Sequence, residues 1–133
     1  MPVPSFLAAS LYVALGGAFG AWLRYAAGML IGRTLGPAIA FPWATLGVNV
    51  LGSLAMGLLV GWLARHGSHG ETWRLLLGVG LLGGFTTFSA FSLELALMVE
   101  RGNLATAAIY ASVSVLAGVA ALFAGLAFMR AAT

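Results

Sequence analysis

The chain is 133 residues long, 62% hydrophobic and 7% charged, with a mean hydropathy of +1.05. A soluble domain carries about 25% charged residues, so a water-facing surface cannot be assembled from this composition. The net charge of +3 would suggest nucleic acid in a soluble protein. Here the arginines fall at the ends of apolar runs, where they meet lipid headgroups, and no nucleic-acid partner is expected. Cysteine is absent, which excludes disulfides, thiol catalysis and thiolate metal sites.

The charged residues are Arg24, Arg33, Arg65, Glu71, Arg74, Glu94, Glu100, Arg101 and Arg130, and between them lie the uncharged runs 1–23, 34–64, 75–93 and 102–129. A bilayer-spanning helix needs roughly 20 apolar residues. The runs therefore predict transmembrane helices at about 5–30, 42–64, 74–99 and 103–128, a single four-helix domain over residues 1–133 and an all-α membrane protein. Barrel strands alternate polar and apolar residues over about 10 positions, and no such alternation is present. The first segment lacks the basic start of a signal peptide and precedes three similar segments, so a retained helix is expected.

Helix 1 carries Gly16, Gly20, Arg24 and Gly28, each four residues after the last. Helix 2 repeats the device with Thr45, Asn49, Ser53, Gly57 and Gly61. Residues four apart share one slanted ridge of a helix, and in lipid such small-residue ridges are where helices associate. The glycines are expected to pack. The polar members carry a second reading, because a central arginine costs about 2.5–3.5 kcal/mol on insertion scales and must face protein or water. Asn49 is either a ligand contact or interhelical glue. Arg24 is either a structural anchor or a source of field for anions. The loop sequence HGSHG places His66 and His69 between helices 2 and 3, where a loop role is expected rather than a metal site.

Helix 3 holds the densest chemistry, LGGFTTFSAFSLE at 82–94. Gly83–Gly84 lowers helix propensity by about 1 kcal/mol per residue, and Thr86–Thr87 can bond backbone instead of continuing the ladder. A break near mid-membrane is expected, with a second half-helix starting at about Thr87. Interrupted membrane helices are tolerated only where buried or lining a cavity. Their freed carbonyls suit a cation and their new N-terminus an anion. Phe85 is expected to be core or lipid-facing. Phe88 and Phe91 are either the same or offer positive ring edges to an anion. Glu94 is either an interfacial charge or the buried partner of an arginine, with the paired role favoured. Helix 4 completes the set with Thr106, Tyr110, Ser114 and Gly118 at the same spacing. Hydroxyl and amide donors without an opposing carboxylate favour an anion over a cation.

With four spans, both termini and the central loop share one side, which holds Arg65, Arg74 and Arg130; Arg33 and Arg101 lie opposite, and Arg24 evens the score. The positive-inside rule needs a bias. Its absence leaves two explanations, a small count or insertion both ways round with an inverted copy.

GGFTTFSAFSLE at 83–94, GGAFGAWLRY at 16–25, TLGVNVLGS at 45–53 and the Tyr110/Ser114 pair together resemble the CrcB/Fluc family of fluoride channels, in the family's order and over nearly the whole chain. Gly118 stands where some relatives carry a serine, which shortens the polar track. The resemblance implies an antiparallel, dual-topology homodimer with the third helix broken and two fluoride pores, set in the plasma membrane (the inner membrane of a Gram-negative cell). It also implies a central structural sodium ion, not transported, on the backbone carbonyls of Gly83 and Thr86. Phe88 and Phe91 match the family's pore phenylalanines and Asn49 its vestibule asparagine. Thr87, Ser89, Tyr110 and Ser114 match its polar track. Arg24, with Thr45 and Glu94, forms the structural and electrostatic set. The implied task is release of fluoride that enters as neutral HF and is trapped inside as the anion.

Three other classes fit less well. A proton-coupled drug exporter wants a carboxylate at the middle of its chamber, whereas Glu94 lies near a helix end. A purely structural subunit has no use for Asn49, Arg24 and TTFS in hydrocarbon. No acid pair, activated nucleophile or metal cluster supports an enzyme.

Overall fold

The computed structural model describes residues 4–35, 41–66 and 70–132. His69 and the side chain of His66 lie outside the described residues, and with them the expectation of a loop role for that pair. In chain order the elements are α1 (Phe6–Leu35), α2 (Trp43–His66), α3 (Gly70–Trp73), the π-helix π1 (Arg74–Leu82), α4 (Gly83–Phe85), α5 (Phe88–Glu100) and α6 (Leu104–Ala131). Four spans, Phe6–Thr34, Trp43–Arg65, Gly70–Glu100 and Leu104–Ala131, are long and apolar enough to cross a bilayer. The described residues contain no strand.

The helices outrun the apolar runs by several residues. Arg33 and Arg130 sit in the last turns of α1 and α6, where a cation complements the helix dipole and its stem still covers apolar surface. The third span begins at Gly70 rather than near residue 74. Glu71 lies in the first turn of α3, and Arg74 donates to it from Nε at 2.9 Å and from a terminal nitrogen at 2.7 Å. This pair is exposed and solvent screens it, so it adds little to stability, but it closes the first turn.

Two close helix contacts organise the bundle. α1 lies along π1 and α4. A Cβ at Gly16 would strike the Leu76 carbonyl, and one at Gly20 the Leu81 carbonyl. From the other side, a Cβ at Gly80 or at Gly84 would come to 3.0 Å from the Cα of Gly16 or Gly17, respectively. Backbone thus meets backbone along this contact, which only glycine permits. The winding of Arg74–Leu82 as a π-helix, with i→i+5 bonds, was not expected.

The second contact joins α2 and α6, which run parallel in a four-span chain. Gly57 faces the backbone of Leu122, Gly61 faces Met129 and Leu126, and Gly125 faces the Leu54 carbonyl at 2.5 Å from its ideal Cβ. Nearer the start of both helices Gly118 faces Ser53. The register is constant: 53 opposite 118, 57 opposite 122, 61 opposite 126. The expected glycine ridges therefore do pack, with one exception. Nothing approaches within 4 Å of a Cβ at Gly28.

Large apolar side chains on the outer faces, among them Leu7, Leu116, Phe123 and Phe128, are exposed, as lipid contact requires. α5 makes its main contacts with α6 and fewer with α2.

Gly57→Val should lower the thermal unfolding midpoint of the detergent-solubilised protein, because its branches meet the Leu122 backbone, an overpacking cost of about 1–3 kcal/mol. Gly32→Ala, with nothing within 4 Å, should leave that midpoint in place. Equal midpoints for the two variants would refute the α2–α6 register.

Candidate functional site

The third span leaves the helical path at Thr86 (φ −80°, ψ 157°) and Thr87 (φ −149°, ψ 118°). The departure lies two residues beyond the glycine pair. Gly83 is itself helical, at φ −63° and ψ −39°, and Gly84 is close against α1. Tertiary packing thus overrides the low helix propensity of that pair, and the threonines carry the turn.

Several polar groups at this point find partners. The Thr86 amide and hydroxyl both donate to the Leu82 carbonyl, at 3.0 and 2.8 Å. Thr87 caps α5, its Oγ1 accepting from the Ala90 amide at 3.1 Å, and lies 3.3 Å from the Ser89 hydroxyl. Ser92 donates to the Phe88 carbonyl at 2.9 Å. From α2, Asn49 grips the Thr87 peptide on both sides: Nδ2 donates to the Thr87 carbonyl at 3.0 Å, and Oδ1 accepts from the Thr87 amide at 2.8 Å. From α1, Arg24 Nε donates to the Gly84 carbonyl at 3.2 Å. Asn49 thus ties α2, and Arg24 ties α1, to the turn of the third span.

Helical bonds are lost in return, two of them at the carbonyls of Gly83 and Thr86. In an unbroken helix the amides of Thr87 and Ala90 would donate to the carbonyls of Gly83 and Thr86. Those amides are engaged by Asn49 and by Thr87 Oγ1 instead. Carbonyl oxygens are the ligand type hard cations take. The described residues include no cluster of three or more His, Cys, Asp or Glu side chains.

Glu94 departs from expectation. Among the described residues its partners are hydroxyls and not an arginine: Oε1 accepts from the Thr45 hydroxyl and Oε2 from the Tyr110 hydroxyl, each at 2.7 Å. The cause is the α2–α6 register, which sets Thr45 opposite Tyr110 and aims both at one carboxylate. Tyr110 is fully buried, so its hydroxyl proton is committed to Glu94. The ring sits between Phe91, at 5.2 Å, and Phe41, which meets it edge-on at 5.4 Å and 81°. Phe88 lies 5.7 Å from Phe91 and is 78% exposed. The same register places Ser114 opposite Asn49, and the Ser114 hydroxyl is buried without a hydrogen-bond partner among the described residues.

Two cavities flank the extended threonines. One, of about 330 Å³, has Arg24, Thr45, Thr87 and Ala90 among its lining residues. The other, of about 290 Å³, has Asn49, Ser53, Thr86, Thr87 and Phe88. Sequence reasoning missed Gly52 and Phe41. A Cβ at Gly52 would collide with the Thr86 methyl group and lie 3.3 Å from the Phe85 ring, so this glycine makes room for the turn. Its spacing of three from Asn49 was the available signal. Phe41 precedes α2 and carried none.

The fold and this site define a multi-pass membrane protein whose polar groups converge on an interruption inside one span. Residues 11–126 match the family described as CrcB-like protein, Camphor Resistance (CrcB). The chain is 59% identical to the fluoride-specific ion channel FluC of Novosphingobium aromaticivorans, covering 93% of this chain and 98% of that one. It is 56% identical to the protein of the same name from Phenylobacterium zucineum, over 92% and 95% of the two chains. Against that of Hyphomonas neptunium it is 57% identical over 87% and 91%. The chain belongs to the CrcB family.

Asn49→Leu should leave the amide of Thr87 unpaired and strip its carbonyl of the second donor, at a cost of roughly 1–3 kcal/mol. Hydrogen exchange followed by mass spectrometry should then show faster exchange over residues 85–92. Exchange as slow as in the parent would remove Asn49 from its bracing role.

Proposed function

We propose that this protein is a fluoride-selective ion channel, not an enzyme, which releases fluoride from the cytoplasm down its electrochemical gradient. The observation that carries the reading is the Ser114 hydroxyl, buried in a membrane span without a partner among the described residues. Buried polar groups are almost always satisfied, so an orphan calls for a ligand. A hydroxyl proton suits an anion, and the polar side chains beside it supply further donors. The names of the relatives point to fluoride. Fluoride is the smallest halide and the strongest hydrogen-bond acceptor among them, so a narrow line of hydroxyls and amides replaces its water better than that of chloride.

In this reading Asn49, Thr87, Ser89, Tyr110 and Ser114 line the path, and Phe88 and Phe91 present ring edges to the ion. The capped start of α5 adds a favourable potential for an anion. Arg24, Thr45 and Glu94 hold the frame. The functional unit is an antiparallel homodimer of inverted copies, with two pores. The exposed Phe88 and the sparsely covered α5 give a second copy a surface to meet. A structural sodium ion, held by the carbonyls of Gly83 and Thr86 from both copies, supports the interrupted span. Those oxygens have lost their helical donors, which fits them to a hard cation. Bound there, the ion would neutralise carbonyl charge without taking part in transport.

The decisive assay is fluoride efflux from liposomes holding the purified protein, read with a fluoride-selective electrode, with chloride efflux as comparison. The parent should pass fluoride and not chloride. Asn49→Asp sets a carboxylate oxygen against the Thr87 carbonyl and should abolish efflux. Phe88→Ile removes the ring edge and should reduce efflux roughly tenfold or more. Equal leakage of both halides, or of neither, would sink the proposal.

Sodium is tested separately. Replacing it with a bulky organic cation should lower the thermal midpoint of the detergent-solubilised dimer, since a ligand bound only to the folded state stabilises by mass action. A midpoint indifferent to sodium would remove the ion.

A further inference from the structure

Ser53 is the polar residue of the α2 ridge that the reading above does not use. It lines the 290 Å³ cavity with Asn49, Thr86, Thr87 and Phe88. A serine in a membrane helix ordinarily folds its hydroxyl back to the carbonyl four residues earlier. In this chain Ser10 donates to the Phe6 carbonyl and Ser92 to that of Phe88, as Thr34 and Thr86 do to those of Leu30 and Leu82. Ser53 makes no such bond, and its hydroxyl has no hydrogen-bond partner among the described residues.

Ser53 faces Gly118, where an ideal Cβ would stand 3.5 Å from Ser53 Oγ. That is ordinary van der Waals separation, so the site has room for a small side chain and holds none. The α6 ridge offers hydroxyls at Tyr110 and Ser114 and then stops. Asn49 has one of its amide hydrogens committed to the Thr87 carbonyl. The donor that continues the line past Asn49 and Ser114 is on α2.

We propose that Ser53 is a direct contact for the permeating anion, its hydroxyl occupying on α2 the place that Gly118 leaves empty on α6. The ligand class is a small, hard, hydrogen-bond-accepting anion. The inference rests on the channel reading and adds to it a residue of the second helix.

The experiment is again fluoride efflux from liposomes, on four proteins: the parent, Ser53→Ala, Gly118→Ser and the double variant. Ser53→Ala should slow efflux roughly tenfold to a hundredfold, the loss of one hydrogen bond to a charged partner, and should raise the fluoride concentration giving half-maximal flux. Its elution in detergent and its thermal midpoint should match the parent. The double variant should recover most of the lost rate, because it returns a hydroxyl to the same level from the facing helix. A packing role for Ser53 would not be rescued in this way. If Ser53→Ala conducts as the parent does, or if Gly118→Ser fails to restore the slowed variant, the inference is overturned. A parent that passes no fluoride overturns the channel reading itself, and the parent measurement separates the two failures.

Discussion

Two hydrogen bonds from the Asn49 side chain, one to the Thr87 carbonyl and one from the Thr87 amide, brace the point where the third span turns through extended backbone. In hydrocarbon no water waits to take up a freed amide or carbonyl, and each one left unpaired costs several kcal/mol. A helix interrupted at this depth therefore exists only if another element supplies a donor and an acceptor in the right geometry. A primary amide does both from one side chain, which neither a hydroxyl nor a carboxylate can match. The Thr87 cap on Ala90, the doubly used Leu82 carbonyl and the Arg24 contact to Gly84 are then consistent with a single arrangement. Gly52 leaves the space it requires.

The α2–α6 contact divides one ridge between two tasks. Toward the ends of the two helices it is a glycine interlock, with Gly57, Gly61 and Gly125 drawing the backbones together. Toward their starts it carries Thr45, Asn49 and Ser53 against Tyr110, Ser114 and Gly118. The close half fixes the register and the polar half uses it. Glu94 shows the dependence. Both of its oxygens are satisfied only because two helices bring a threonine and a tyrosine to the same carboxylate.

Much of this was readable from residues alone, and the exceptions share a cause. Charge-free runs located all four spans, since hydrocarbon thickness sets helix length whatever the packing. Spacing by four identified Gly16, Gly20, Gly57 and Gly61 as contact residues. What escaped depends on which helix faces which. Gly83 and Gly84 looked like helix breakers, yet remain helical because α1 packs against Gly84. Glu94 looked like the partner of an arginine because a sequence does not show two hydroxyls converging from α2 and α6. The π winding of Arg74–Leu82 accompanies backbone contact with α1 and leaves no periodic mark. Gly28 fits the ridge pattern, yet nothing lies within 4 Å of where its Cβ would stand.

Thr87 is a wall common to both cavities, the one with Arg24 and Thr45 and the one with Asn49 and Ser53. An occupant that pushes on this residue from the first chamber moves the boundary of the second. The two volumes meet at one residue, which Asn49, Ser89 and Ala90 all hold by hydrogen bonds. A small molecule lodged beside Arg24 would thus reshape the space around Phe88 without entering it.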